Sequence, residues 1–208
     1  MREGNPIVYV VDDDPSVRTA LERLLRSSGY EIKAFASALE FMDHNPSHVP
    51  GCLVLDIQMP KLSGLELQDR LAEKEIFLPI IFITAHGTVP DSVRALKAGA
   101  MDFLEKPFKE NELLETVSKG IQKHHILMKQ KKRMKILTDR LHKLTPREHE
   151  VFKLVVSGML NKQVAWDLGI SEKTVKVHRA QVMQKMKAES FADLVRISET
   201  LRTRYAKP

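Results

Sequence analysis

The stretch CLVLDIQMPKLSG, Cys52–Gly64, runs from apolar residues into one carboxylate, Asp56, and then into turn residues, Met59-Pro60 and Ser63-Gly64. A short apolar run closed by turn signals reads as a strand buried on both faces. Its carboxylate then stands at the strand tip. Two readings of Asp56 stay open on this stretch alone: a turn cap, or a nucleophile held at the edge of a sheet.

The flanking sequence repeats the pattern. IVYVVD, EIKAFAS, PIIFITA and DFLEKPF read as four more strands, and a helical pattern follows each of the five. Pro15 suits a first helical position, and Val17, Leu21, Leu24 and Leu25 repeat at helical spacing until Gly29. Asn111 is the expected cap of the fifth helix. Five β-α units with apolar strands predict an α/β fold, a doubly wound five-stranded parallel sheet of flavodoxin-like form. Ligands of such sheets bind beyond the carboxyl ends of the strands. Asp12-Asp13-Asp14, Asp56, Thr84 and Lys106 all fall at those ends.

The two ends of the chain differ in charge. Residues 1–118 hold 12 basic and 19 acidic side chains, whereas residues 119–208 hold 21 and 8, within a net charge of +6. Two domains with different partners are expected, the basic one a candidate for phosphate backbones. The basic stretch 119–143 lacks proline, and Met134, Leu137, Leu141 and Leu144 step at helical spacing, so a helical linker continuing the fifth helix is expected. The expected organisation is 1–122, an α/β domain; 123–142, the linker; and 143–208, an all-α domain of four helices. A single cysteine, Cys52, excludes an internal disulfide and fits a reduced, cytoplasmic compartment. No apolar run approaches the about 20 residues needed to span a bilayer, so no membrane partner is expected. His124-His125 show no metal-ligand spacing.

Carboxylates gathered at one edge repel unless a cation neutralises them. Mg²⁺ suits such a site because it takes oxygen ligands and keeps waters. Asp56 could then attack phosphorus, as aspartyl-phosphate enzymes do, with Lys106 a cation and Thr84 a hydroxyl for the phosphoryl oxygens. The motifs VVDDDPSVR, LVLDIQMPKLSG, FITAHG and DFLEKPF resemble those of the receiver domain of two-component response regulators, over about residues 5–125. The resemblance implies that Asp56 accepts phosphate from a cognate sensor histidine kinase. It implies Mg²⁺ held by Asp13, Asp56 and the backbone carbonyl of Gln58, with Asp12 acting through water. It further implies Thr84, Lys106 and Phe103 as phosphoryl and switch residues, and a cis Lys106–Pro107 bond.

In the basic end, Thr145, Pro146 and Glu148 form a capping-box layout. GMLNKQVAWDLGISEKTVKVHRAQVMQKM reads as two helices around a Gly169-Ile170-Ser171 turn. Val175, His178, Val182 and Met186 make the inward face of the second, and Lys176, Val177, Arg179 and Ala180 fall toward the outside. LTPREHEV, NKQVAWDLGIS and TVKVHR resemble the helix-turn-helix domain of the LuxR/FixJ/NarL regulators, over about residues 142–200. That resemblance implies a recognition helix near Glu172–Lys187 in the major groove. Lys176, Val177 and Ala180 would approach bases, and Lys162, Thr174, Arg179 and Gln181 phosphates, with Lys173 on the same helix. Trp166 stands where a small or polar residue is expected, and surface packing and an interdomain contact both stay open.

Together these imply a phosphorylation-controlled transcription regulator, an activator acting through RNA polymerase on promoter DNA and dimerising once phosphorylated. It is not expected to be an enzyme beyond taking up and losing its own phosphate. Two alternatives remain. One is a phosphatase or hydrolase that forms an aspartyl phosphate, which would want a second carboxylate where Gln58 stands. The other is a DNA-binding protein whose receiver ignores phosphate.

Overall fold

The computed structural model describes residues 5–44, 49–85 and 87–205. They divide into two units, Met1–Met128 and Lys129–Pro208. The linker expected at 123–142 is shared between them, within one continuous helix.

In the first unit, strands β1 (Ile7–Val11), β2 (Glu31–Phe35), β3 (Gly51–Asp56), β4 (Ile80–Thr84) and β5 (Asp102–Glu105) form one sheet in the order β2-β1-β3-β4-β5. Every pairing is parallel. Helices α1 (Pro15–Ser27), α2 (Ala38–Asp43), α3 (Gly64–Glu73), α4 (Val89–Lys97) and α5 (Glu110–Leu141) follow the strands in turn. β3 shows why apolar strands suit this layout, since its alternate side chains enter two cores. Leu53 and Leu55 join Phe41, Leu67 and Ala95 on the α2, α3 and α4 side. Cys52 and Val54 join Leu21, Leu25, Leu113 and Val117 on the α1 and α5 side. Burial pushes the Cys52 thiol up to about 12, so it packs as a small apolar group.

Asn111 does not cap α5. The helix begins one residue earlier, at Glu110, and the Lys109 carbonyl accepts the Glu112 and Leu113 amides, which leaves Asn111 inside the first turn. His124, farther along α5, accepts a hydrogen bond from the Gly51 amide at 2.9 Å and so ties α5 to the start of β3. Burial holds its pKa below the usual 6.5, which keeps that acceptor nitrogen unprotonated.

The second unit packs the end of α5 with α6 (Pro146–Val156), α7 (Asn161–Leu168), α8 (Glu172–Met186) and α9 (Phe191–Tyr205). Leu137 of α5 is buried with Phe152, Val182, Met186 and Leu201. Thr145 and Glu148 close the expected capping box at the start of α6. Glu148, whose side chain is 6% exposed, also receives Lys185 of α8 at 2.6 Å. Burial raises the Glu148 pKa, but Lys185 and the Thr145 amide outweigh it and hold the carboxyl below its usual 4.5. The pair therefore stabilises the unit fully above that value and less as pH falls through the depressed one. Glu148→Ala leaves Lys185 without its carboxylate and should cost roughly 2 kcal/mol at pH 7. The loss should be read as faster amide exchange in α6 and α8, and it should shrink below about pH 4.

Candidate functional site

The sheet order reverses direction between β1 and β3, the place where parallel sheets open a crevice for ligands. Val11 pairs with Leu55 in register, so the next residues out, Asp12 and Asp56, stand side by side at that crevice. Neither is solvated, at 1% and 7% exposed. Lys106, just beyond β5, reaches both: its Nζ lies 2.9 Å from Asp12 Oδ2 and 3.0 Å from Asp56 Oδ1. The Lys106 amide also donates to the Thr84 carbonyl at 2.7 Å, which fixes the start of the lysine's reach. The Lys106–Pro107 bond is cis. The other Asp56 oxygen accepts the Gln58 amide at 2.7 Å.

Burial lowers the Lys106 pKa, yet the two carboxylates outweigh that and raise it above its ordinary 10.5. Burial raises the Asp56 pKa, helped by the Asp12 charge, and Lys106 and the Gln58 amide cancel only part of the rise. Asp56 is therefore a perturbed carboxylate in a ligand crevice, the kind of group that clusters at functional sites.

The acidic run splits by role. Asp14 has the bland job, capping α1 by accepting the Ser16 and Val17 amides. Arg18, which has no distinguishing pattern in the sequence, donates to the Asp12 carbonyl at 2.7 Å and pins the end of β1. Asp13 is exposed. Among the described residues no three His, Cys, Asp or Glu side chains converge as a metal cage, so Asp13 does not complete a trio with Asp12 and Asp56 in this conformation. The physical reason is repulsion: a third carboxylate beside two that share a single ammonium would be uncompensated. The donor set still fits a hard cation. Its groups are all oxygens, two of them buried carboxylates, with an ammonium standing between them.

Thr84 is 1% exposed at the end of β4, and Phe103 is half-buried on β5. Gly87 links them. A Cβ at that position would lie 2.4 Å from Phe103 Cζ and 2.6 Å from Thr84 Cγ2. A side chain there would push Phe103 and Thr84 from these positions, a role whose only trace in the sequence is the glycine three residues after Thr84. Gly64 is required in the same way, because a Cβ there would lie 2.3 Å from the Asp56 carbonyl oxygen.

The basic unit presents its own candidate surface. Val175, Val182 and Met186 of α8 are fully buried and His178 is half-buried, as the helical spacing predicts. Lys173, Lys176, Val177, Ala180 and Gln181 are exposed on α8, as is Lys162 on α7. Two candidates are engaged within the unit. Thr174 belongs to the α8 cap, its amide donating to the Ser171 hydroxyl at 3.1 Å. Arg179 donates to Asn161 Oδ1 at 2.6 Å and lies 5.3 Å over the Phe191 ring, which joins the starts of α7 and α9 to α8. Trp166 is 90% exposed beside an open groove of about 950 Å³.

Both units match known protein families. Residues 8–118 match the response regulator receiver domain, and residues 142–198 match the bacterial regulatory proteins of the luxR family. The chain is 49% identical to nodulation protein W of Bradyrhizobium diazoefficiens over 94% of its own length and 86% of that protein's. This chain is a two-component response regulator. It is 44% identical to the response regulator protein TmoT of Ectopseudomonas mendocina, over 97% of this chain and 92% of that one. The low-resolution structure of the response regulator StyR superposes with a TM-score of 0.86 at 46% identity, covering 94% of this chain and 99% of that one.

The response regulator is thus of the FixJ/NarL type, a receiver followed by a LuxR-type helix-turn-helix, and it regulates transcription under the control of phosphorylation. Its receiver is a phosphoacceptor rather than a turnover enzyme, and Mg²⁺ is the ion receivers use for phosphorylation. Response regulators work with a sensor kinase, DNA and a second copy of themselves. Among the described residues of this one, no helix is long and apolar enough to cross a membrane.

Proposed function

We propose that Asp56 is the phosphoacceptor, and the observation that carries this is the pairing of buried Asp12 and Asp56 through one lysine at the sheet's crevice. A carboxylate oxygen of Asp56 attacks the phosphorus of a phosphohistidine on the kinase. The new O–P bond forms as the P–N bond breaks, and the departing imidazole nitrogen takes up a proton. Lys106 and the Gln58 amide favour the ionised form of Asp56 that attacks. Asp12, Asp13, Asp56 and the Gln58 carbonyl would hold Mg²⁺, which supplies charge to offset the phosphoryl oxygens. Lys106 then pairs with the phosphoryl group, Thr84 donates its hydroxyl to it, and Phe103 follows Thr84 inward. That change reshapes the surface of α4, β5 and the start of α5, on which Val89, Val93 and Leu96 are exposed at helical spacing. Such a face suits a second copy of the receiver.

In the same proposal residues 1–122 receive the signal and residues 143–208 read promoter DNA, in the cytoplasm and as an activator working through RNA polymerase. Lys176, Val177 and Ala180 approach bases, with Val177 and Ala180 able to meet thymine methyl groups. Lys162, Lys173 and Gln181 face phosphates, and Thr174 and Arg179 can join them by giving up the contacts they make now.

The test is DNA binding by the full chain with acetyl phosphate and Mg²⁺, on duplexes selected from a random pool. Phosphodonor should tighten binding about 10-fold or more and convert monomer to dimer, while Asp56→Ala should do neither. Ala180→Glu should weaken binding about 100-fold, by setting a carboxylate against the bases and phosphates, and leave phosphate uptake intact. Equal binding by all these proteins would overturn the proposal.

A further inference from the structure

The end of α5 and the end of α8 enclose a cleft of about 390 Å³ within the second unit. Lys129, Lys132, Arg133 and Arg140 line it from α5, Lys187 from the end of α8, and one carboxylate, Asp193, from α9. Five cations and one anion share this concavity, and the carboxylate is already used, accepting the Glu189 amide at 3.2 Å. Arg140 is fastened to α8 by donating to the Met186 carbonyl at 3.0 Å. Such a concentration of positive charge attracts a polyanion.

Lys187 adds an independent sign. It sits in the left-handed region, at φ 53 and ψ 41, and closes α8. Glycine usually holds that place because a Cβ there crowds the next carbonyl. The same chain uses glycine for the equivalent stop of α7, at Gly169. The chain also stops α3 with a non-glycine residue in this region, Glu75 at φ 54, so it is the place of Lys187 on the lining of a basic cleft that points to use of its ammonium. Lys173, Val177, Ala180, Gln184 and Lys187 also step by four and three along the exposed side of α8. Lys187 therefore continues this exposed side of α8, which includes the proposed base readers Val177 and Ala180, into the cleft.

We propose that this cleft grips backbone phosphates of the DNA beyond the bases that α8 reads, so that the last turns of α5 are part of the DNA-binding surface. The inference rests on the DNA-binding reading of α8 and deepens it. Charge complementarity favours DNA over an apolar partner, since each strand presents a phosphate every 3.4 Å or so to meet a row of cations.

The experiment is fluorescence anisotropy of the full chain on a mixed-sequence duplex of about 40 base pairs across a potassium chloride series. Each phosphate left without its cation should flatten the log–log salt slope by about 0.9. Lys132→Gln with Arg133→Gln should lower the slope by about 2 and the affinity about 10-fold at low salt. Lys187→Gly should lower the slope by about 1 while raising the melting temperature, because it removes backbone strain. Opposite movements of stability and binding would not follow from a purely structural role. Lys119→Gln with Lys123→Gln, on the receiver's part of α5, removes the same charge outside the cleft and should change little. Lys132→Arg should keep the wild-type slope. An unchanged slope in the cleft variants, a weakening matched by the Lys119 and Lys123 control, or tighter binding would each overturn the inference. Tighter binding would mean that the cations serve an acidic protein surface. Wild type that fails to bind the duplex at all would remove the DNA-binding reading as well, which separates the two failures.

Discussion

Asp56→Ala should take up no phosphoryl group. Wild type with acetyl phosphate and Mg²⁺ should gain about 80 Da by intact mass, and the variant nothing. The loss should be complete because the other carboxylates are differently placed: Asp12, 1% exposed, is buried more deeply than Asp56, and Asp13 is exposed. An equal gain in the variant would move the acceptor elsewhere and undo the assignment. The same carboxylate should reveal itself without any phosphate. Its folded-state pKa lies above its ordinary 3.8, chiefly through burial. The folded state thus favours protonated Asp56, and that contribution to stability, complete below 3.8, is lost as pH rises through the folded value. At neutral pH the ionised group is a net cost to the fold. Asp56→Asn, which mimics the protonated form, should therefore melt above wild type at pH 7, and the gap should close as pH falls toward 4. A variant less stable than wild type at neutral pH would show that pairing with Lys106 outweighs desolvation.

Lys106→Ala is the second large effect. It leaves two buried carboxylates side by side with no cation between them. Breaking a buried pair costs about 3–5 kcal/mol; the 21% exposure of the Lys106 side chain admits water and reduces this to roughly 2 kcal/mol. The raised Lys106 pKa means that wild type keeps this stabilisation through neutral pH and loses it only as pH rises past 10.5 toward the folded value. Thermal melts in chelator should show the deficit. Added Mg²⁺ should stabilise Lys106→Ala more than wild type, because in the variant the divalent ion neutralises carboxylates that have lost their cation. Equal Mg²⁺ shifts in both proteins would place the ion away from Asp12 and Asp56.

Much of this was legible from sequence, for identifiable reasons. Strand runs such as IVYVV and IIFIT could be read because both faces of the sheet are covered, which makes the strands apolar throughout. Acidic and basic residues at strand ends stand out against that background. The Thr145 capping box and the inward face of α8 were legible because they are local and periodic. What escaped depends on distant parts of the chain meeting. Nothing near Arg18 says that it holds the Asp12 carbonyl, and nothing near Glu148 announces Lys185, 37 residues on. Arg179 reads as an outward-facing cation by periodicity, yet Asn161 and Phe191 claim it. Asn111 misled because a good capping residue lies one place inside a helix that Lys109 already starts.

The single course of α5 across both units has a consequence for how the protein can be divided. The stretch KQKKRMK, 129–135, holds five cations in seven residues and would form a poor helix alone, since nucleation is unfavourable and like charges repel. Here nucleation has already occurred on the receiver, and the basic turns form by propagation, which delivers Met134 and Leu137 to the core of the following unit. A fragment begun at residue 142, where the luxR-family match begins, would start after those side chains and leave Phe152 and Leu201 without that cover. The excised DNA reader would thus be a looser body than the one in the whole chain, and a protease cut near residue 130 would act on the output domain as a destabilising mutation does.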